Sequence, residues 1–177
     1  MRLRVLLLLA CLLGLSSSAW ADAAVRIATT LHDGEVRVSF SVTDAVSEPI
    51  RAAIQSGLPT TFAYDITLQQ ASHWWIDKTI AYIRVSAVVR FDNLTRRYQI
   101  TFIEDGRVEE VRTTDDEATA FKWLTIFQGR RLSSHRLVEG GEYHVNVKAQ
   151  TRPRMLGLAW PWTPGTVLGS VSFRFRP

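Results

Sequence analysis

The sequence predicts a mainly β protein, an antiparallel immunoglobulin-like β-sandwich of about eight strands with two short α-helices. Three observations lead to this fold class. Many short segments alternate apolar and polar residues, which is the period of a half-buried strand. Asp33-Gly34, Asp105-Gly106 and Gly140-Gly141 lie between such segments, and dipeptides of this kind tolerate the positive φ of hairpin turns. Two other segments carry apolar residues at helical spacing instead.

The strand signal is clearest in residues 35–42, where every second residue is apolar: Val36, Val38, Phe40 and Val42. These side chains share one face of a predicted half-buried strand. The same period predicts strands at Val25–Leu31, Phe62–Leu68, Ile83–Phe91, Tyr98–Phe102, Tyr143–Val147 and Val171–Arg176. This number of short strands is typical of a sandwich or a small barrel.

The first helix is predicted over Ser47–Gly57. Ser47 is a suitable N-cap, Pro49 is favourable in a first turn, and Gly57 suits the left-handed residue that ends many helices. Proline at position 59 would prevent the helix from continuing.

The second helix is predicted to begin near Thr114, because Thr114 and Glu117 have the spacing of a capping box. Phe121, Leu124 and Phe127 are predicted to form a stripe that faces the core. Gly129 is predicted to end the helix, and Arg130 and Arg131 suit the negative end of its dipole. The acidic run Asp115-Asp116-Glu117 is therefore interpreted as a helix start and not as a calcium or acid/base cluster.

The first twenty-one residues are typical of a bacterial signal peptide. Arg2 and Arg4 form a cationic start, residues 5–15 are apolar except for Gly14, and small residues lead to Ala21. The apolar stretch is too short for an ordinary spanning helix, which needs roughly 20 residues. We expect cleavage after Ala21 and a periplasmic or otherwise exported protein. Lipid attachment at Cys11, or retention of the signal as an anchor, remains an alternative.

Cleavage after Ala21 would change the cysteine content and the net charge of the protein. The mature chain has 177 − 21 = 156 residues and no cysteine, so disulfide and thiolate chemistry are excluded for it. The net charge falls from +4 to +2 when Arg2 and Arg4 leave. The remaining arginines are scattered, whereas nucleic-acid surfaces need clustered cations, so we expect no nucleic-acid partner. No internal repeat or linker divides residues 22–177, so we expect one domain.

Residues 155–173 are uncharged, which raises the possibility of a membrane span. Prolines at positions 161 and 164 are poor in a spanning helix, and the later part alternates like a strand. We therefore expect no membrane span after signal cleavage.

Two motifs resemble those of a bacterial exported family, domain of unknown function 4390. They are Ser56-Gly57-Leu58-Pro59-Thr60-Thr61-Phe62-Ala63-Tyr64 and Phe91-Asp92-Asn93-Leu94-Thr95-Arg96-Arg97-Tyr98. The resemblance follows the order of elements over most of residues 22–177, except that Trp160-Pro161-Trp162 replaces the family's usual final segment. It implies no activity or catalytic residues. It does imply an envelope protein as partner, with a membrane sensor kinase as one candidate, because such families are often encoded beside one.

The residues themselves predict no catalytic, cofactor or metal site. The four histidines, His32, His73, His135 and His144, show no metal-ligand spacing. The chain has neither a Gly-x-Ser-x-Gly elbow nor a Ser-x-x-Lys pair, and it lacks glycine-rich phosphate loops. We therefore expect a noncatalytic protein.

The remaining candidate surface is aromatic: Trp74, Trp75, Trp160 and Trp162. Tryptophan combines a large apolar face with one donor, which suits binding surfaces as well as cores. The preferred hypothesis is an extracytoplasmic interaction module that presents loops or a strand edge to an envelope protein. A second is a binder of a small amphipathic ligand walled by Trp75, Trp123 or Trp160. A third is a hydrolase, which would require His73, His135 or His144 to meet a carboxylate in a cleft.

Overall fold

A computed structural model describes residues 24–32, 35–72, 77–133, 137–153 and 166–175. Within these ranges it contains nine strands and two helices, so the prediction of a mainly β, antiparallel sandwich with two short helices is confirmed. The elements are β1 Ala24–His32, β2 Glu35–Thr43, α1 Glu48–Gln55, β3 Thr60–Gln70, β4 Lys78–Asp92, β5 Arg97–Glu104, β6 Arg107–Thr114, α2 Glu117–Thr125, β7 Ile126–Ser133, β8 Glu142–Pro153 and β9 Thr166–Arg174. Neither described helix has the length and apolar character needed to cross a membrane.

The strands form two antiparallel sheets. The smaller sheet has the order β1-β2-β7, and the larger has the order β6-β5-β4-β3-β8-β9. Alternate side chains of β2, β3, β4, β5 and β8 are buried, which places the core between the sheets. We call this side of the larger sheet its inner face and the opposite side its outer face. Each predicted alternating segment lies within an observed strand or overlaps it.

Aromatic rings join the two sheets at the centre of the core. Phe40 of β2, Tyr64 of β3 and Phe127 of β7 lie with ring centroids 4.9 to 5.0 Å apart. The Tyr64 hydroxyl is buried and donates a 2.6 Å hydrogen bond to the carbonyl oxygen of Leu124. Burial raises the pKa of Tyr64 well above its usual range. The hydroxyl therefore stays protonated and ties the end of α2 to the larger sheet.

Strands β1 and β9 approach each other closely where the chain has a glycine. A Cβ built on Gly169 would lie 2.7 Å from the Cβ of Val25 and 3.2 Å from the Cδ1 of Ile27. Only a residue without a side chain fits this contact. Gly169 thus lets the smaller sheet close onto the larger one at its β9 side.

The second helix ends earlier than the sequence predicts. It stops at Thr125, and Phe127 lies on β7, where it pairs with Phe40 across the smaller sheet. Gly129, expected to be the helix exit, has a φ of +60° at a position within β7, and Arg130 and Arg131 lie on that strand as well. The predicted helical stripe is wrong at Phe127 because sheet packing overrides its helical spacing.

The cap of α2 also differs from the predicted capping box. The N-cap residue is Asp116, whose carboxylate accepts a 2.8 Å hydrogen bond from the Thr119 amide. Thr114 contacts the Asp116 amide instead of capping the helix directly. In α1, Ser47 occupies the N-cap position without a capping hydrogen bond from its side chain.

Candidate functional site

The four tryptophans predicted as a binding surface, Trp74, Trp75, Trp160 and Trp162, lie outside the described residues, and so does the signal peptide with Cys11. These assignments remain predictions. Candidate sites among the described residues are the exposed edges of the two sheets, the outer face of the larger sheet, and the junction of α2 with β5 and β6.

Strands β1 and β9 are the regular edges, since each pairs with its neighbour without a register shift, and they lie on the same side of the sandwich. β1 carries Arg26, whereas β9 has the longer uncharged stretch. Among the described residues β9 pairs only with β8, and their register is continuous over nine residue pairs. Residues 166–173 carry no charge, and Leu168 is 73% exposed. An edge strand presents a row of N–H and C=O groups that another strand can pair with. Because β9 lacks bulges and charges along this stretch, it is well suited to accept one. No single sequence signal marks this edge, although the uncharged run of residues 155–173 includes most of it.

The edges on the opposite side of the sandwich are interrupted. The pairing of β5 with β6 shifts register between Phe102 and Ile103, and the pairing of β2 with β7 shifts twice. Strand β6 also carries four charged residues, Arg107, Glu109, Glu110 and Arg112. Bulges and charges are the common means by which proteins prevent strand addition at an edge. The two sides of the molecule therefore differ in their capacity to take up a strand.

The outer face of the larger sheet carries polar side chains that are bonded to each other across strands. The Asn146 amide donates to Gln69 at 2.8 Å between β8 and β3. Asp65 of β3 accepts hydrogen bonds of 2.6 Å from both the Tyr82 hydroxyl and the Arg84 Nε of β4. No described element covers this face, and these groups are fixed in position and partly exposed.

The charge on Asp65 is maintained by its neighbours. The hydrogen bond from Arg84 is the largest influence that lowers the pKa of Asp65, and the Tyr82 hydroxyl and the charge of Lys148 act in the same direction. Partial burial opposes them. The hydrogen bond to Asp65 likewise raises the pKa of Tyr82. The carboxylate is therefore ionised and the phenol neutral at ordinary pH.

The third hypothesis, a hydrolase, required a histidine beside a carboxylate. His144 Nδ1 lies 2.7 Å from the Ser172 hydroxyl on the outer face, and among the described residues no carboxylate is hydrogen-bonded to this imidazole. His73 and His135 lie outside the described residues, as does the side chain of His32. In the part of the chain that the structure describes, no group of three or more potential ligands is placed to hold a metal ion.

The acidic run before α2 is used structurally. Hydrogen bonds from the side chain and amide of Thr119 lower the pKa of Asp116. Glu117 accepts hydrogen bonds from Gln55 of α1 at 2.9 Å and from the Tyr98 hydroxyl of β5 at 3.2 Å. These contacts join the two helices and the larger sheet, as expected for a helix start.

Trp123 is the one residue of the predicted ligand pocket that is described. It is half-buried on α2, and the Arg112 guanidinium lies 5.4 Å from its ring and 5.0 Å from the ring of Phe102. Arg112 also forms a bidentate pair with Glu110, with nitrogen to oxygen distances of 2.7 and 2.6 Å. Two aromatic rings and a paired arginine therefore meet at the junction of sheet and helix.

The two sequence motifs meet in the structure. Gly57, which follows α1, has a φ of +84°, and a Cβ at this position would lie 3.1 Å from the Asn93 side-chain nitrogen. Asp92 begins the turn between β4 and β5 by accepting hydrogen bonds from the amides of Leu94 and Thr95. The motifs thus form two turns that contact each other.

Comparison with known proteins agrees with these motifs. No curated protein and no solved structure shows a significant match to the chain. The sequence model of the family described as Domain of unknown function (DUF4390) matches residues 23–159, which is most of the chain, and the protein therefore belongs to this family.

Proposed function

We propose that this protein is an exported, noncatalytic interaction module that binds an extended segment of another envelope protein along the free edge of β9. The observation that supports this most directly is the contrast between the edges. β9 is continuous and uncharged over residues 166–173, whereas β6 and β7 are bulged and charged, and β1 is continuous but carries Arg26. Strand addition to a free edge is a common mode of peptide recognition.

The partner segment is expected to alternate in polarity. The side chains of Val167, Val171 and Phe173 point toward the inner face and are partly buried against the core. Leu168, Ser170 and Ser172 alternate with them on the exposed outer face. A strand added beside β9 would continue both faces of the sheet. Its apolar residues would therefore lie next to Val167, Val171 and Phe173 on the inner face.

The proposal is tested by placing a photo-crosslinking amino acid at Leu168 in intact cells. We expect one reproducible partner, whose yield falls at least tenfold when Ser170→Lys adds a charge to the β9 edge. Thr113→Lys adds the same charge to the interrupted β6 edge and is the matched control, with an unchanged yield expected.

Three outcomes would overturn the edge proposal. They are a Leu168 crosslink to another copy of the same chain, an equal yield in the Ser170→Lys variant, and no reproducible crosslink at all. A photo-crosslinker at Val108, which is 62% exposed on β6, provides the background for comparison.

Export is part of the proposal. The family match begins at residue 23, directly after the predicted cleavage site following Ala21, which supports a leader that is separate from the domain. The intact mass of the protein recovered from the envelope tests this. A chain starting at Asp22 is expected, and a diacylated chain starting at Cys11 would show lipid anchoring instead.

A second candidate function is the binding of a small amphipathic ligand at the junction of α2 and the larger sheet. It is favoured by the aromatic lining of Phe102 and Trp123 beside the Arg112 guanidinium. A carrier is expected to retain its ligand on purification, so native mass spectrometry would reveal added mass that Trp123→Ala removes. Unmodified mass in the natively purified protein would count against this function.

A further inference from the structure

The centre of the outer face combines one exposed ring with polar groups that retain unused hydrogen-bonding capacity. Tyr82 is 48% exposed, and its hydroxyl is held by Asp65. Asn146 and Gln69 share one hydrogen bond, which leaves an amide oxygen and an amide nitrogen with no partner among the described residues. A fixed acceptor and a fixed donor therefore lie side by side on this partly exposed face.

The strand register brings these groups into one row. Tyr82 pairs with Thr67, Thr67 with Asn146, and Asn146 with Ser170. Neighbouring strands lie about 4.8 Å apart, so the row spans roughly 14 Å across four strands. All four side chains lie on the same face, because directly paired residues in an antiparallel sheet share a face.

Charged side chains lie beside this row. Asp65 pairs with Arg84 on one side and with Lys148 on the other. Only Arg84 forms an ion pair with Asp65 within 4 Å, and 57% of the Arg84 side chain stays exposed. Asp105 also lies at this position, where its carboxylate accepts a 2.9 Å hydrogen bond from the Arg84 amide, so the four charges sum to zero. Lys148 is nevertheless the exposed cation of this group without an ion pair among the described residues.

We infer that this face binds a sugar chain that carries carboxylate groups. Each sugar hydroxyl can both donate and accept, which fits the open amide oxygen and nitrogen of Asn146 and Gln69. The apolar side of a sugar ring can lie on the Tyr82 ring, and the exposed ammonium of Lys148, which has no ion pair among the described residues, fits a carboxylate. The inference does not depend on strand addition at β9, since the binding groups it names lie on β3, β4 and β8 and the backbone of the edge strand is not used.

Affinity electrophoresis of the purified protein in polygalacturonate, with neutral dextran as comparison, tests this inference. We expect retardation by polygalacturonate only. Tyr82→Ala should weaken it at least tenfold, whereas Tyr82→Phe, which keeps the ring, should retain most of the binding. Because Tyr82 is half-exposed, neither variant should unfold the domain, and circular dichroism checks this.

The matched charge control is Arg26→Gln, which removes one positive charge from an exposed position on β1 of the other sheet. Lys148→Gln should weaken binding to polygalacturonate at least fivefold, and Arg26→Gln should leave it unchanged. An equal loss in both variants would indicate attraction by net charge alone and overturn the inference. Equal retardation by dextran, undiminished binding by Tyr82→Ala, or no retardation of the parent protein would also overturn it.

Discussion

Replacing Gly169 with alanine tests whether β1 lies directly against β9. The added Cβ would come within 2.7 Å of the Val25 Cβ and 2.9 Å of its Cγ1, distances that real Cβ atoms essentially never show. Ile27 Cδ1 lies at 3.2 Å on the same side. The backbone of one strand has to move, because the nearest atom belongs to the rigid base of a β-branched side chain.

The sign of the change in the free energy of unfolding distinguishes a glycine in a close contact from a glycine with free space around it. In a strand with free space, glycine to alanine stabilises by about 0.5–1 kcal/mol, because glycine loses more entropy on folding. Overpacking a close contact costs about 1–3 kcal/mol. We therefore expect Gly169→Ala to lower the free energy of unfolding by about 1–2 kcal/mol. For a domain of about 150 residues, each 1 kcal/mol lowers Tm by about 2–4 °C.

Urea denaturation of the parent and variants measures this effect. Ser170→Ala is the control, because the next residue points to the exposed outer face and should change stability by less than about 0.5 kcal/mol. Val25→Gly removes the obstructing atoms. The double variant, Val25→Gly with Gly169→Ala, should therefore be more stable, by about 1 kcal/mol or more, than expected if the two single changes in the free energy of unfolding simply added. A Gly169→Ala protein as stable as the parent would refute the packing of β1 on β9.

Three further predictions concern the core, a helix cap and pH. Tyr64→Phe removes the buried hydrogen bond to Leu124 and should lower the free energy of unfolding by about 1 kcal/mol in urea denaturation. Asp116→Ala should lower the urea midpoint, whereas Asp115→Ala, a neighbouring exposed carboxylate, should leave it unchanged. The pKa of Asp65 in the folded state lies below its ordinary value of 3.8. The ionised carboxylate therefore contributes to the free energy of unfolding above pH 3.8, and this contribution is lost as the pH falls through the folded pKa. Asp65→Asn should therefore flatten the decline in stability below about pH 4.

Alternation predicts strands well where one face is buried and the other is wet. Residues 35–42 and 62–68 fall inside β2 and β3 because their even-numbered side chains enter the core. Strand β6 has no comparable signal, since Val108 and Val111 are separated by two glutamates at a register shift. A strand that buries little surface leaves little pattern in the sequence.

The boundary between α2 and β7 depends on tertiary contacts. Phe121, Leu124 and Phe127 have helical spacing, yet Phe127 packs on Phe40 and Tyr64 from the adjoining strand. Local spacing contains no information on which sheet Phe127 will join, so the spacing alone predicts too long a helix. The free edge of β9 also depends on tertiary contacts, because the order of the strands in the sheet, and not any single segment, determines which strand lies at an edge.

The motifs that mark the family build the fold, and this directs the search for function to the surfaces. Gly57 requires its left-handed conformation to leave α1, and the close approach of Asn93 joins this exit to the turn that Asp92 organises. Residues used in this way are constrained by backbone geometry, whichever partner or ligand the protein binds. The outward-facing side chains of β9 and of the row around Tyr82 carry no such constraint, because they face solvent and can change without loss of the fold. Within residues 23–159, which the family model matches, differences in binding between members should therefore be found around Tyr82.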